Sequence, residues 1–315
     1  MPQKIIDRRS FLKLSAGALG SGLALTSGCA YHTPCDIPVE IVPPPTKRIF
    51  VCSDIHIGHT EDGYDGEAWF SLALADLQSL GPINYGLTLG DIAHNGMPEE
   101  FFKYRALRNA STVPQWHEII GNHEYFYCDI ESYYSIVNPL QSYKVVDGNV
   151  VFFMLSDEQD SPVGNISEEI LVWFIDQLAR NQDKIIVVCT HQLVYGTIRD
   201  STDSVRYIEP REMIEEILSR YRIDLWLCGH QHYYPFASED MYYNGETHFI
   251  NVSSMNHGYS TQMSQSVILD FHEGEKEIMA YRRSHDLALF DSRFTVQVKV
   301  PFAVTLSGTT AAVPR

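Results

Sequence analysis

The sequence is short of positive charge. Its 315 residues carry 23 Lys and Arg against 40 Asp and Glu, a formal net charge of −17. No Lys/Arg cluster follows Arg48, so the basic face that displaces counterions from nucleic-acid phosphates is missing. That disfavours duplex DNA or RNA as a ligand, although bound divalent cations would invert the field around their own ligands. An internal repeat is lacking, as is an apolar run long enough to span a bilayer. What is present is ordinary for a globular protein: 44% apolar residues, 12% aromatic and 20% charged, enough for one large core or two small ones.

The N-terminus reads as an address. Asp7-Arg8-Arg9-Ser10-Phe11-Leu12-Lys13 resembles the twin-arginine export motif, and the weakly apolar, Gly-rich stretch Ala16 to Thr26 follows it. Thr26-Ser27-Gly28-Cys29 resembles a lipoprotein processing box, with Thr26 where Leu is usual. Two outcomes stay open: a lipid anchor at Cys29, the only membrane contact expected, or soluble release after cleavage. The expectation is export to the periplasm or cell envelope, with residues 1–28 a signal peptide and a mature charge of −20. Cys52, Cys189 and Cys228 lie within apolar runs and read as small buried hydrophobes, whereas a Cys35–Cys128 disulfide is open.

Residues 29–47 are Pro-rich and aperiodic, an extended spacer. A domain is expected over 48–305, and 306–315 reads as a flexible tail. Strands are predicted at Arg48–Cys52, Tyr85–Leu89, His117–Ile120, Val150–Leu155, Ile185–Cys189 and Leu225–Cys228. Helical spacing appears in Trp69–Leu80, in Ile170–Leu178 behind a Ser167 N-cap, and after Pro210. Alternating strands and helices imply an α/β core. Beyond residue 240 the pieces Thr247–Val252, Ser266–Phe271, Ile278–Arg283 and Phe294–Val300 are strand-like and suggest a second, partly antiparallel sheet.

Unusual residues collect where those strands end. The runs lead into Asp54-Ile55-His56, Gly90-Asp91, Gly121-Asn122-His123-Glu124, Thr190-His191 and Gly229-His230-Gln231-His232. In α/β folds, residues just past strand C-termini line the ligand crevice. Residues two apart in an extended segment share a face, so Asp54 with His56 and His230 with His232 can each reach one site. Singly, each is an ordinary turn or loop residue; together, five strand ends finishing in Asp, Asn or His indicate a metal centre. Imidazole and carboxylate donors without thiolates suit Mn, Fe, Zn or Co and argue against a Cys-rich structural zinc site.

In order and spacing these blocks resemble the calcineurin-like metallophosphoesterase superfamily across about residues 50–232. The resemblance implies a four-layer α/β/β/α sandwich with two mixed sheets and a dimetal site at strand C-terminal ends. It implies one ion on Asp54, His56, Asp91 and His232, and a second on Asp91, Asn122, His191 and His230. It also implies hydrolysis of a small phosphomonoester or phosphodiester by a hydroxide bridging the two ions, with His123 contacting phosphate or protonating the leaving group. The competing functions are a metal-retaining binding or adhesion lipoprotein without turnover, and a repair-type nuclease, which the acidity and the export motif oppose.

His94, three residues after Asp91, is a second-tier substrate contact or a loop histidine. Purple acid phosphatases of the superfamily place a Tyr ligand there, so their colour is not expected. His59 and His257 are similar candidates, and His117 is expected to pack at a strand edge. Tyr125, Phe126 and Tyr127, with Tyr233 and Tyr234, either stack a flat substrate group or form wall and core.

Overall fold

In the central strands, successive side chains go to different cores. Along β5 (Val150–Met154), Val150, Phe152 and Met154 join one apolar cluster, while Val151 and Phe153 join another. Strands β6 (Ile185–Cys189) and β7 (Leu225–Cys228) divide in the same way, and β1 (Lys47–Cys52) sends Ile49 and Val51 inward but Phe50 and Cys52 outward. Strands apolar on both faces belong in a sheet covered on both sides.

The computed structural model describes residues 44–61, 64–126, 130–158, 164–232, 240–256 and 264–315. The expected signal peptide, Cys29, Cys35, Cys128 and most of the expected spacer lie outside the described residues, as do Tyr127, Tyr233, Tyr234 and His257. Residues Pro44–Arg315 form one unit.

Two mixed sheets pack face to face. The first has the order β12-β11-β10-β1-β2-β3, where β2 is Tyr85–Leu89, β3 Trp116–Ile119, β10 Gln265–Phe271, β11 Glu277–Ser284 and β12 Leu289–Lys299. The second has the order β13-β4-β5-β6-β7-β9-β8, where β4 is Tyr143–Asp147, β8 Met241–Tyr243, β9 His248–Asn251 and β13 Ala311–Pro314. Strands β1, β2 and β3 run parallel, as do β5, β6, β7 and β9. Helices α1 (Gly66–Leu77), α2 (Pro98–Ala110) and α3 (Glu131–Ile136) contribute to the core on the outer face of the first sheet. Helices α4 (Glu168–Arg180) and α5 (Arg211–Arg220) cover the second. The result is the four-layer α/β/β/α sandwich. Among the described residues, no helix is long and apolar enough to cross a membrane.

Two expectations are corrected. The strands after residue 240 do not form a sheet of their own: β10–β12 extend the first sheet from β1, and β9 joins the second beside β7. Alternation reveals strand character but not partnership, which depends on which open edge a strand reaches. The flexible tail expected at 306–315 instead contains β13, paired antiparallel with β4 from Ala311↔Val146 to Pro314↔Tyr143. Its residues are exposed, so apolar patterning could not announce it.

One buried polar tie bears on the site. Asp76 near the end of α1 accepts hydrogen bonds from Arg283 Nε (2.8 Å), Arg283 Nη2 (2.7 Å) and His285 Nδ1 (2.9 Å). The Nε2 of His285 lies 2.8 Å from the fully buried Ser266 hydroxyl. At the other end of α1, a Cβ on Gly66 would overlap the carbonyl oxygens of Ile55 and His56. The helix is thus fastened to β11 at one end and braces the Asp54–His56 segment at the other.

Candidate metal centre

The parallel strands of both sheets deliver the predicted residues to one edge of the sandwich. Asp54 and His56 follow β1, Asp91 follows β2, Asn122 and His123 follow β3, His191 follows β6, and His230 and His232 follow β7. The backbone there is tightly held. Asp54, His56, Asp91 and His230 have φ of 54°, 49°, 51° and 64°, left-handed values that cost a non-glycine residue roughly 1–3 kcal/mol. Loop-to-loop bonds impose them, including His56 N–H to Asp91 O (3.0 Å), Gly229 N–H to His191 O (2.9 Å) and Asn256 N–H to Asp54 O (3.1 Å). Gly90, with φ of 84°, has no room for a side chain: a Cβ would lie 2.7 Å from both Gly121 N and His191 Nδ1.

Donor atoms converge in two adjoining groups. In the first, His232 Nε2 lies 2.9 Å from Asp54 Oδ1 and 3.0 Å from His56 Nε2. In the second, His191 Nε2 lies 3.2 Å from Asp91 Oδ2 and 3.3 Å from His230 Nδ1. Asp91 Oδ2 is also 3.8 Å from His56 Nε2, so this carboxylate stands between the groups. Two donors each 2.0–2.1 Å from one ion are about 2.8–3.0 Å apart at octahedral angles and about 3.3–3.4 Å apart at tetrahedral ones. The closest contacts within both groups match or nearly match that spacing, and the donor types are those of a first-row transition metal. The His191 Nδ1–H donates to Leu89 O (2.7 Å), so Nε2 is the ring nitrogen left to bind an ion once the proton it shares with Asp91 is displaced. These residues therefore fit a pair of cations that share Asp91.

Charge in the metal-free chain is arranged the same way. Burial disfavours ionisation of Asp91, but the neighbouring His191 and His123 imidazoles hold its carboxyl well below the usual range. Burial likewise opposes the charge on His191, yet Asp91 raises it well above an ordinary histidine. His56 is held low by burial and by His232, and His230 is pushed down to about 3 by burial and His191. A proton thus sits on the Asp91–His191 pair, where a cation would displace it.

The remaining candidates separate. His123 donates through Nδ1 to His94 O (2.7 Å), and its Nε2 is 4.0 Å from Asp91 Oδ2. His94 faces both His56 and His123 and stacks on His59, with ring centroids 4.2 Å apart and planes 4° apart. Burial and the His59 charge push it down to about 4, so it is neutral at physiological pH. Phe126 lies against His123 at 4.2 Å and is 40% exposed, whereas Tyr125 donates its hydroxyl to Asp157 O and packs on the first sheet's outer core. His117 is buried on edge strand β3 between Tyr85 and Tyr143.

Glu124 closes the Gly121–Glu124 block, and its role shows only in the fold. Fully buried, it accepts backbone N–H bonds from Asp91 (3.0 Å) and Gly121 (2.7 Å) at Oε2 and from Ala93 (3.0 Å) at Oε1, tying two ligand loops together. Burial and the charge of Asp91 push its carboxyl up to about 8. The Asp157 position, buried just past β5, had the same strand-end signal as the ligands.

Residues 47–234 match the calcineurin-like phosphoesterase family, and the chain belongs to it. Among solved structures, the fold is similar to a purple acid phosphatase isolated from yellow lupin (Lupinus luteus) seeds, with 15% identity and a TM-score of 0.58. That match covers 80% of this chain and 53% of the lupin protein, so the chain spans about half of its length. Matches to the protein TT1561 of Thermus thermophilus (9% identity, TM-score 0.48, 80% and 99% covered) and to a putative 5'-nucleotidase from Staphylococcus aureus (16%, 0.46, 83% and 56%) are weaker. No curated protein is significantly similar in sequence.

Proposed function

We propose that this chain is a metal-dependent hydrolase of a phosphomonoester or phosphodiester bond in a small substrate. The observation that carries the reading is the position of Asp91, one carboxylate between two converging donor groups. Asp54, His56, Asp91 and His232 would hold one ion, and Asp91, Asn122, His191 and His230 the other. Two divalent ions there would supply Lewis acidity, neutralising charge on a phosphate and lowering the pKa of water at neutral pH.

The chain's own residues do the rest. Asp91 joins the two groups, and Glu124 holds the turn that carries it. The His94 carbonyl fixes the His123 tautomer, because it accepts from Nδ1 and directs Nε2 toward the donor groups. His123 is positioned to hydrogen-bond a phosphate oxygen or pass a proton to the departing alkoxide. His94, neutral beside it, lines the same opening. A net charge of −17 favours small substrates over polyanions.

Metal analysis of purified protein, together with turnover on monoester, linear-diester and cyclic-diester substrates, tests this reading. Two ions per chain and hydrolysis of at least one class are expected. Absence of turnover in Mn-, Fe- and Zn-loaded protein would favour a binding role instead.

Export through Arg8-Arg9 and anchoring at Cys29 belong to the same proposal, supported by the motif at residues 7–13 and the box ending at Cys29. Replacing both arginines by lysine should retain the protein in the cytoplasm, and Cys29→Ser should release it from membranes. Unchanged fractionation of both variants would remove this part.

A further inference from the structure

Gln192, the residue after His191, is fully buried. Its Nε2 lies 3.1 Å from Asn122 Oδ1 and 3.3 Å from His230 Nδ1, so one side-chain amide spans two residues placed on the same ion. The side chain is confined, since a Cβ on Gly164 would come within 2.5 Å of its Cγ, and Thr190 donates to the backbone carbonyl of Gln192 at 2.9 Å. Among the described residues its own Oε1 has no partner.

An asparagine can bind a cation only through oxygen, because the amide nitrogen has no available lone pair. Asn122 must therefore be held in one of its two amide orientations. A donor at Gln192 Nε2 does this, since it pairs with Asn122 Oδ1 and would face a second donor if the amide turned over. Oδ1 keeps another lone pair for the ion. We propose that Gln192 is a positioning residue that fixes the Asn122 amide, and thereby sets the affinity of the Asp91–Asn122–His191–His230 site. This inference rests on the two-metal reading above. It explains why a glutamine is buried with one polar atom unsatisfied: the other atom is needed beside Asn122 Oδ1, because the single lone pair of His230 Nδ1 is the one that would face the ion.

The test is a Mn²⁺ titration of metal-free protein followed by electron paramagnetic resonance, which separates a single ion from an exchange-coupled pair. Wild type should take up two ions and show the coupled spectrum. Gln192→Met should bind the first ion unchanged and the second about 10–100-fold more weakly, the usual effect of losing an outer-shell partner. Asn122→Asp has two equivalent oxygens and needs no orienting donor, so adding Gln192→Met to it should produce little further loss. If Gln192→Met does not fold, Gln192→Asn, which withdraws the amide by one methylene, should show the same split. Equal affinity for both ions in wild type and variant overturns the inference, as does equal weakening of both sites. A wild-type chain that binds no Mn²⁺ would instead overturn the two-metal reading.

Discussion

Replacing Glu124 by Gln isolates the part of the centre that is built from backbone rather than ligands. The carboxyl group, whose two oxygens can both accept, takes three buried N–H groups: Asp91 and Gly121 at one oxygen, Ala93 at the other. An amide has one oxygen. Turned to keep Asp91 and Gly121, it presents NH₂ to the Ala93 N–H and orphans that buried donor, at a cost of about 1–3 kcal/mol. The pH dependence should change as well. With its folded-state carboxyl pushed up to about 8 from 4.5, Glu124 stays protonated where the unfolded chain has released its proton. Its contribution therefore makes the metal-free protein less stable as pH rises from about 5 to about 8, and Gln removes that slope. Urea denaturation of metal-free wild type and variant at pH 5 and pH 8 reads both effects. A variant as stable as wild type, with an unchanged difference between the two pH values, would refute the reasoning.

His123→Ala should keep both ions and lose about 10²–10⁴-fold in kcat, and full occupancy with unchanged kcat would end its proposed role. Asp76, despite burial, is held well below the usual carboxylate range by Arg283 and His285. It stabilises the fold above its unfolded pKa near 3.8, a contribution lost as pH falls, so Asp76→Asn should flatten the acid limb of a denaturation curve below about pH 4. Metal binding should release protons, chiefly from the Asp91–His191 pair, and calorimetry in buffers of different ionisation enthalpy should show it; a buffer-independent heat would contradict that assignment.

The candidate ligand residues stood out in the sequence because each follows a predicted strand, as Thr190-His191 follows Ile185–Cys189. Six of the seven expected ligands fall into the two donor groups, and Asn122 meets them through Gln192. Helix α2 was missed because only Glu100, Phe101 and Tyr104 among its residues are buried, too few for a helical stripe. Strand β4 was passed over between a polar turn and the stronger run of β5. Glu124 and Gln192 stood in view but carried no signal, since their roles come from groups up to 70 residues away in sequence. A hydrogen bond between loops leaves no periodicity.

The most direct test of the account is anomalous scattering from a crystal of the Mn²⁺-loaded protein. Two peaks are predicted, one among Asp54, His56 and His232 and one among Asn122, His191 and His230, with Asp91 touching both. A single peak, or two peaks that do not share Asp91, would contradict it.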